Sequence, residues 1–556
     1  MKFEIEKCQK KTKKTDYTNI EIALTLSGGG YRASIFHIGV LSYLYHLKLS
    51  DGSRLLDHIT VMSTVSGGTI TGMLYLLSLM GENELPQYLG DMYKKIIDNN
   101  LANDLLSNIK KKRNSSKLSV IKELGNVYDS VFFNGKKLGA LYDVIQNCHI
   151  HHYAAYATDI SNALPFRFQV ANSIYGDITI GNEAKGIDVT KAKEFRLADI
   201  LAASSCFPIA FEPINFPRDF KNYPENDEFA QSDMQTLLMD GGIIDNQGID
   251  YLLEANKHME AVNKAGIDLA IISDAASSLG ERTANVETLH SGKWGLFINK
   301  LSKIKQWFIK KLKTATVIRL QLFSLIFGLF FCVVGLFTNL KCWVANIFLG
   351  LFIASILIFL LICAFRWYTP RKLKKNDQFN IPKNLIWKVD FNQYGRVISK
   401  RYQSFSKVVS TVMMGHIRKK NIELLSMDSR WTNRFVIPCI SSLTSNGGWK
   451  EDKMAKEIMA EASSLMGISD VASNFHSTLW FSKDDINNDI PKKILACGQF
   501  TICYELYMWV KSHDGRKLNM SGVLNLLNKD LKKILDNDWN KFKNDPYIMT
   551  DLYKLK

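Results

Sequence analysis

None of the nine cysteines stands in a CxxC pair, which argues against a structural zinc site and against a disulfide framework and suits a reducing compartment. Cys8, Cys148, Cys206, Cys332, Cys342, Cys363, Cys439, Cys497 and Cys503 are scattered along the chain, three of them in very apolar sequence. The opening stretch from Met1 to Lys14 is polar and lysine-rich. It lacks the apolar run of a secretory signal, so the chain is expected to stay where it is made. Internal repeats and low-complexity tracts are missing too. No metal-ligating cluster and no calcium loop stands out, and neither metal nor cofactor is expected.

Positive charge, by contrast, is plentiful: the formal net charge is +16, with runs at Lys10, Lys11, Lys13 and Lys14 and from Lys110 to Arg113. Such runs attract anionic lipid surfaces or nucleic acid, or simply form solvated faces. With 556 residues, 46% hydrophobic and 22% charged, the chain can bury a large core and is expected to hold two or more structural units. Two stretches, 320–338 and 342–365, carry no formal charge. Each is about the 20 residues that a helix needs to cross a ~30 Å hydrocarbon core. They predict a transmembrane hairpin turned by Asn339, Leu340 and Lys341; the alternative is a pair of buried soluble helices. Lys300, Lys303, Lys305, Lys310, Lys311, Lys313 and Arg319 precede it, and Arg366, Arg371, Lys372, Lys374 and Lys375 follow. Positive flanks at both ends place both on the cytoplasmic side, with Trp343, Trp367 and Tyr368 as interfacial anchors. Most of the basic excess is thereby explained without nucleic acid, which is not an expected partner.

From residue 19 to about 280 the pattern alternates strand and helix: a strand over Ile20 to Leu26, a helix over Ala33 to Leu47, a strand over His58 to Val65, a helix over Thr69 to Met80 and a strand over Leu269 to Ser273. This predicts an α/β fold with a mainly parallel sheet and helices on both faces. After the hairpin, Leu385 to Phe391 and Arg434 to Ile440 read as strands, and Ser404 to Leu425 and Ile494 to Val510 as helices. The charged helical stretch from Glu82 to Asn134 is a candidate cap or gate. The expected division is a basic tail (1–18), a catalytic domain (19–295), the basic-flanked hairpin (296–375) and a C-terminal α/β part (376–556) that completes or covers the catalytic domain.

Three segments carry chemistry. A buried strand running into Thr64-Val65-Ser66-Gly67-Gly68 and then an apolar helix has the layout of a nucleophile elbow, with the helix N-terminus aimed at the serine hydroxyl. Thr64 stands where the usual G-x-S-x-G pattern has glycine, so its Cβ is expected to alter the turn or lower the activity. Ser27-Gly28-Gly29-Gly30-Tyr31-Arg32 leaves bare backbone amides at a helix start, a ready anion site. Gly28-x-Gly30-x-x-Ala33 also fits a loose dinucleotide fingerprint, but the second strand delivers Ser66 where that reading wants an acid. The third segment is an apolar run ending in Asp240-Gly241-Gly242, with Asp245 and Asn246 behind; within reach of Ser66, Asp240 could take its proton.

Together these segments resemble the patatin-like phospholipase family, which carries G-G-G-x-R/K, G-x-S-x-G and D-G-G/A in this order. Ala202 to Pro208 and Ala157 to Ile160 resemble family stretches ahead of the base and between elbow and base. The resemblance covers residues 19 to 280. It implies a three-layer α/β/α sandwich and a Ser66–Asp240 dyad without histidine. Gly28, Gly29, Gly30 and Arg32 would form the oxyanion loop, Thr64, Gly67 and Gly68 the elbow, and Gly241 and Gly242 the base loop. The implied activity is that of a membrane-anchored lipid acyl hydrolase of phospholipase A or lysophospholipase type. Its expected partners are membrane phospholipid as substrate, an anionic lipid surface, and an activating partner or a second copy of the chain. Two other accounts compete: a catalytically silent membrane adaptor, and a Ser-His-Asp esterase drawing on His258, His290, His416, His476 or His513.

Overall fold

The computed structural model describes residues 20–112, 119–221, 236–262, 266–276, 404–513 and 522–552 apart from a few single positions, together with Tyr17 and scattered positions between 322 and 360. The chain divides into two compact units, one made of residues 1–283 with 408–556 and the other of residues 284–407.

The first unit is built on a ten-stranded sheet. Its strands are β1 (Ile22–Leu26), β2 (Ile59–Val65), β3 (His152–Asp159), β4 (Leu164–Ala171), β5 (Ile180–Asn182), β6 (Lys185–Ile187), β7 (Ile214–Phe216), β8 (Thr236–Asp240), β9 (Leu269–Ser273) and β10 (Phe435–Val436). The order is β10-β9-β1-β2-β3-β4-β5-β6, with β8 paired to β3 and to β7. From β10 to β3 all pairings are parallel. From β3 onward all are antiparallel. The sheet is therefore mixed rather than mainly parallel. The reason is local: only residues 160–163 join β3 to β4, with Ala163 at φ 57°, and so short a link allows a hairpin but no parallel crossover.

The central strands are buried on both faces, and successive residues point into different cores. Ile22, Leu24 and Leu26 enter one apolar cluster, whereas Ala23, with Val61, Val65, Ala270 and Ile272, enters the other. Helix α1 (Gly30–His46) covers the first face and the helix Ile249–Ala261 covers the second. A C-terminal helix, Ile490–Ser512, packs on α1 where Gly39 faces Gly498. A Cβ on either glycine would strike the partner helix's backbone, so the two axes approach more closely than ordinary side chains permit. β10 also comes from beyond the insertion, pairing Phe435 with Ala270 and Val436 with Ile271.

Among the described residues of the stretch from Glu82 to Asn134 are the helices Leu85–Asp98, Leu101–Lys111 and Val120–Tyr128, as expected. The strand expected over Leu385 to Phe391 lies outside the described residues, as does nearly all of the basic tail. Most of the expected hairpin does too. Among the described residues no helix is long and apolar enough to cross a membrane, so the two expected spans are not found there. The described positions between 322 and 360 are helical, and large apolar side chains among them are exposed, Phe323 by 68% and Ile326 by 64%.

Candidate active site

β3 brings the site together. On one edge it pairs with β2 as far as Val65 opposite Tyr156, and on the same edge β8 takes over with Asp240 opposite Ala157. The residue after β2 and the last residue of β8 therefore meet end to end, which is how Ser66 and Asp240 come into contact across 174 residues of sequence.

Ser66 sits between β2 and helix α2 (Gly67–Ser78) at φ 49° and ψ −116°, a region that side chains other than glycine enter at a cost of about 1–3 kcal/mol. Surrounding contacts hold it there. Its N–H donates to Ser204 Oγ at 2.9 Å, and Ser204 Oγ lies 3.0 Å from Thr69 Oγ1. Gly67 and Gly68 lie against the backbone of Gly30 and of Leu26, where a Cβ would not fit. Thr64 does not crowd the turn. Its hydroxyl lies 3.1 Å from Tyr153 Oη and donates to the Ala154 carbonyl at 3.2 Å, and its methyl group faces Gly72 of α2.

Asp240 is buried. Its Oδ1 accepts the Gly242 N–H at 2.7 Å, and the Ser66 side chain stands beside its carboxyl, where it favours the charged form. Burial pushes its pKa up from 3.8 to about 7, with the Gly242 hydrogen bond and the Ser66 side chain opposing the shift. Gly241 packs its Cα against the Tyr156 carbonyl and donates its N–H to the Ser204 carbonyl. Behind it Asp245, also buried, accepts the N–H groups of Gln247, Gly248 and Asp250 and the amide of Asn421, which makes it a brace of the loop.

The glycine loop faces Ser66. Gly29 and Gly30 have φ 142° and 60°, which glycine alone adopts readily, and they start α1, where the first amides lack intrahelical acceptors. The Gly28 N–H is engaged differently, donating to the Asn246 carbonyl at 3.1 Å. Arg32 is buried and donates to the Phe475 carbonyl. Beneath the loop, His37 bonds Ser273 Oγ at 2.8 Å and the Ser27 carbonyl at 2.9 Å. Burial pushes its pKa down to about 4, so it serves as a neutral strut.

A cavity of about 570 Å³ opens over these groups. Ser66, Asp240 and Gly28 to Gly30 line it together with Arg32, Asn246, Phe207, Phe211 and Ala276. Its outer wall comes from Met414, Gly415 and Arg418 and from residues 477–480. No described residue of the candidate cap at 82–134 lines this cavity; the outer wall is supplied by the C-terminal part. Among the described residues no histidine bonds the Asp240 carboxyl. His258 packs against His152 and Tyr175, His513 bonds the Trp509 carbonyl, His416 and His476 are exposed, and His290 lies outside the described residues. Among the described residues no group of His, Cys, Asp and Glu is placed to hold a metal ion.

Ser204 and Asn246 lie within segments recognised in the sequence but carried no assigned role there, whereas His37 and Arg418 carry no local signal.

The model of the family described as patatin-like phospholipase matches residues 24–253, less than half of the chain. Those residues form a patatin-like phospholipase domain. The search of curated proteins returns no match. Among solved structures, human GIVD cytosolic phospholipase A2 is similar at 14% identity and a TM-score of 0.28, over 46% of this chain and 43% of that one. The same human protein in complex with methyl gamma-linolenyl fluorophosphonate is similar at 15% identity and a TM-score of 0.25, over 46% and 40%. The chain thus spans less than half the length of these structures.

Proposed function

From the patatin-like phospholipase domain at residues 24–253, we propose that this chain is a serine lipid acyl hydrolase anchored to a membrane and acting from its cytoplasmic side. The observation that carries this reading is the contact between Ser66, held in a strained strand-to-helix turn, and the buried carboxyl of Asp240.

In this reading Ser66 Oγ attacks the ester carbonyl carbon as its proton passes to Asp240. A general base works best with a pKa near the working pH, and burial brings Asp240 to about 7. The oxyanion is received by the amides of Gly29 and Gly30 at the start of α1, where the helix dipole also favours negative charge. One such donor is typically worth about 2.7–4 kcal/mol in the transition state. Collapse of the tetrahedral intermediate breaks the ester C–O bond, and the departing alkoxide takes the proton from Asp240. Water then attacks the acyl-serine carbonyl, losing its proton to Asp240, and as the acyl C–Oγ bond breaks Ser66 Oγ takes that proton back, releasing the fatty acid and restoring the carboxylate.

Two observations support the anchor: the charge-free stretches 320–338 and 342–365 with basic flanks, and the exposed apolar side chains at the described helical positions between 322 and 360. Tethering would hold the cavity at high effective concentration of lipid.

Fatty-acid release from mixed phospholipid vesicles tests the chemistry. Wild type should release fatty acid, and Ser66→Ala and Asp240→Asn should each lower the rate by about three orders of magnitude or more. Full activity in either variant would refute the dyad. If wild type is silent and also resists labelling by a fluorophosphonate, the fold is a binding module.

A further inference from the structure

We infer that Arg418 is the residue that recognises the phosphate of a glycerophospholipid in the catalytic cavity, which makes phospholipids, rather than neutral acylglycerols, the preferred substrate class. This rests on the hydrolase reading above and adds a specificity determinant to it.

Three of the cavity's lining residues are charged: Asp240, Arg32 and Arg418. Asp240 faces Ser66, and Arg32 is 3% exposed with its guanidinium on the Phe475 carbonyl. Arg418, from the helix Met414–Met427, differs: its side chain keeps 21% of its exposure and lines the cavity. Its partners fix it without using it up. Nε donates to Asp274 Oδ2, and Nη2 lies 3.2 Å from Cys439 Sγ. Among the described residues Nη1 has no protein partner, so its two N–H donors remain for a ligand.

A purely structural arginine usually closes its planar fork on the carboxylate with two parallel bonds. Here Asp274 receives one guanidinium nitrogen, while Gln247 Nε2 at 2.7 Å and the Ala276 N–H at 2.9 Å supply its other bonds. The second contact of Arg418 is a thiol, a weak acceptor. Burial pushes the pKa of that thiol up, so it adds no negative charge beside the guanidinium. The arginine is oriented by a fully buried carboxylate, and its side chain lines the cavity with Nη1 uncommitted among the described residues.

Its position suits a phospholipid. Asp274 directly follows β9, and the next residue, Ala275, donates its N–H to Ser27 Oγ at 2.8 Å at the base of the glycine loop. Arg418 is thus tied one residue from the segment that would receive the oxyanion. In a glycerophospholipid the phosphate is only a few bonds from the ester carbonyls. Phe207, Phe211, Leu479 and Trp480 give the same cavity an apolar wall for an acyl chain.

The full-length protein should be assayed on two monomeric esters, dihexanoylphosphatidylcholine and dihexanoylglycerol, comparing the ratio of their kcat/KM values. Arg418→Gln should lower the phospholipid-to-glycerolipid ratio by about 10- to 100-fold, the weight of a charge-assisted hydrogen bond. An Asp274→Asn/Arg418→Gln form, which leaves no stranded carboxylate, should show the same drop and guards against a folding defect. On a Ser66→Ala background, calorimetric titration with dihexanoylphosphatidylcholine should show binding that Arg418→Gln weakens about 10-fold or more. An unchanged kcat/KM ratio overturns the assignment. So does phospholipid binding that is absent or indifferent to Arg418. A wild type that binds the phospholipid through Arg418 yet cleaves neither ester counts against the hydrolase reading and leaves the phosphate site standing.

Discussion

At Asp240 burial sets function against stability. The folded-state pKa stands near 7 against 3.8 for the free side chain, so between these values the folded protein binds the extra proton and the unfolded chain does not. Stability therefore falls as pH rises from about 3.8 to about 7, whereas the carboxylate needed as base accumulates over the same range. We expect kcat/KM on a soluble ester to rise with pH and level off above about 7, and a profile flat from pH 5 to pH 9 would exclude Asp240 as the base. Asp240→Asn should abolish activity yet melt higher than wild type at pH 8, by on the order of 1 kcal/mol or more. At pH 5 the two proteins should melt closer together. The oxygen of asparagine can still accept the Gly242 N–H, so the substitution removes the charge with little change of shape.

Among the elements, β2 and α2 show how the chain accommodates a departure from the family pattern. The expectation that Thr64 crowds the elbow is not met, because its Cγ2 projects to within 2.5 Å of where a Cβ on Gly72 would lie. The room for Thr64 is made in the helix rather than in the turn. Helix propensity alone would favour Gly72→Ala by about 1 kcal/mol. The clash should reverse that sign and cost about 1–3 kcal/mol. Thr64→Ser removes the methyl and keeps the hydroxyl's bonds to Tyr153 and Ala154, so it should recover at least half of the loss in the double variant. Denaturant melts of the four proteins measure this coupling, and simple addition of the two single effects would contradict the contact.

Over the whole molecule, the first unit, which holds the candidate site, is assembled from both sides of an insertion. Residues 1–283 supply Ser66, Asp240 and the glycine loop; residues after 408 supply β10, the helix that packs on α1 and the outer wall of the cavity. A chain ending before the insertion would leave β9 as a bare edge and the Gly39 face of α1 uncovered. If the charge-free stretches anchor the protein, replacing residues 320–365 with a short Gly/Ser linker should move it from the membrane to the soluble fraction. Activity on a soluble ester should remain. Persistence in the membrane fraction after that replacement would place the anchor elsewhere.

Three central strands, the helices that follow two of them and the three glycine-marked segments were legible in the sequence because each is a local pattern: a buried run, a glycine turn, a helical period. Ile59–Val65 running into Ser66 and α2 needs no distant contact to be recognised. The meeting of Ser66 with Asp240 was a different matter, for it depends on β2 and β8 sharing one edge of β3, and pairing register is set by packing across the whole sheet. The change from parallel to antiparallel pairing at β3 likewise came from the short β3–β4 link and the strands it brought together. His37 under the glycine loop and Arg418 at the cavity wall were invisible for the same reason. Arg418 lies 352 positions from Ser66, and only the folded sheet, with β10 laid beside β9, carries its helix back to the site.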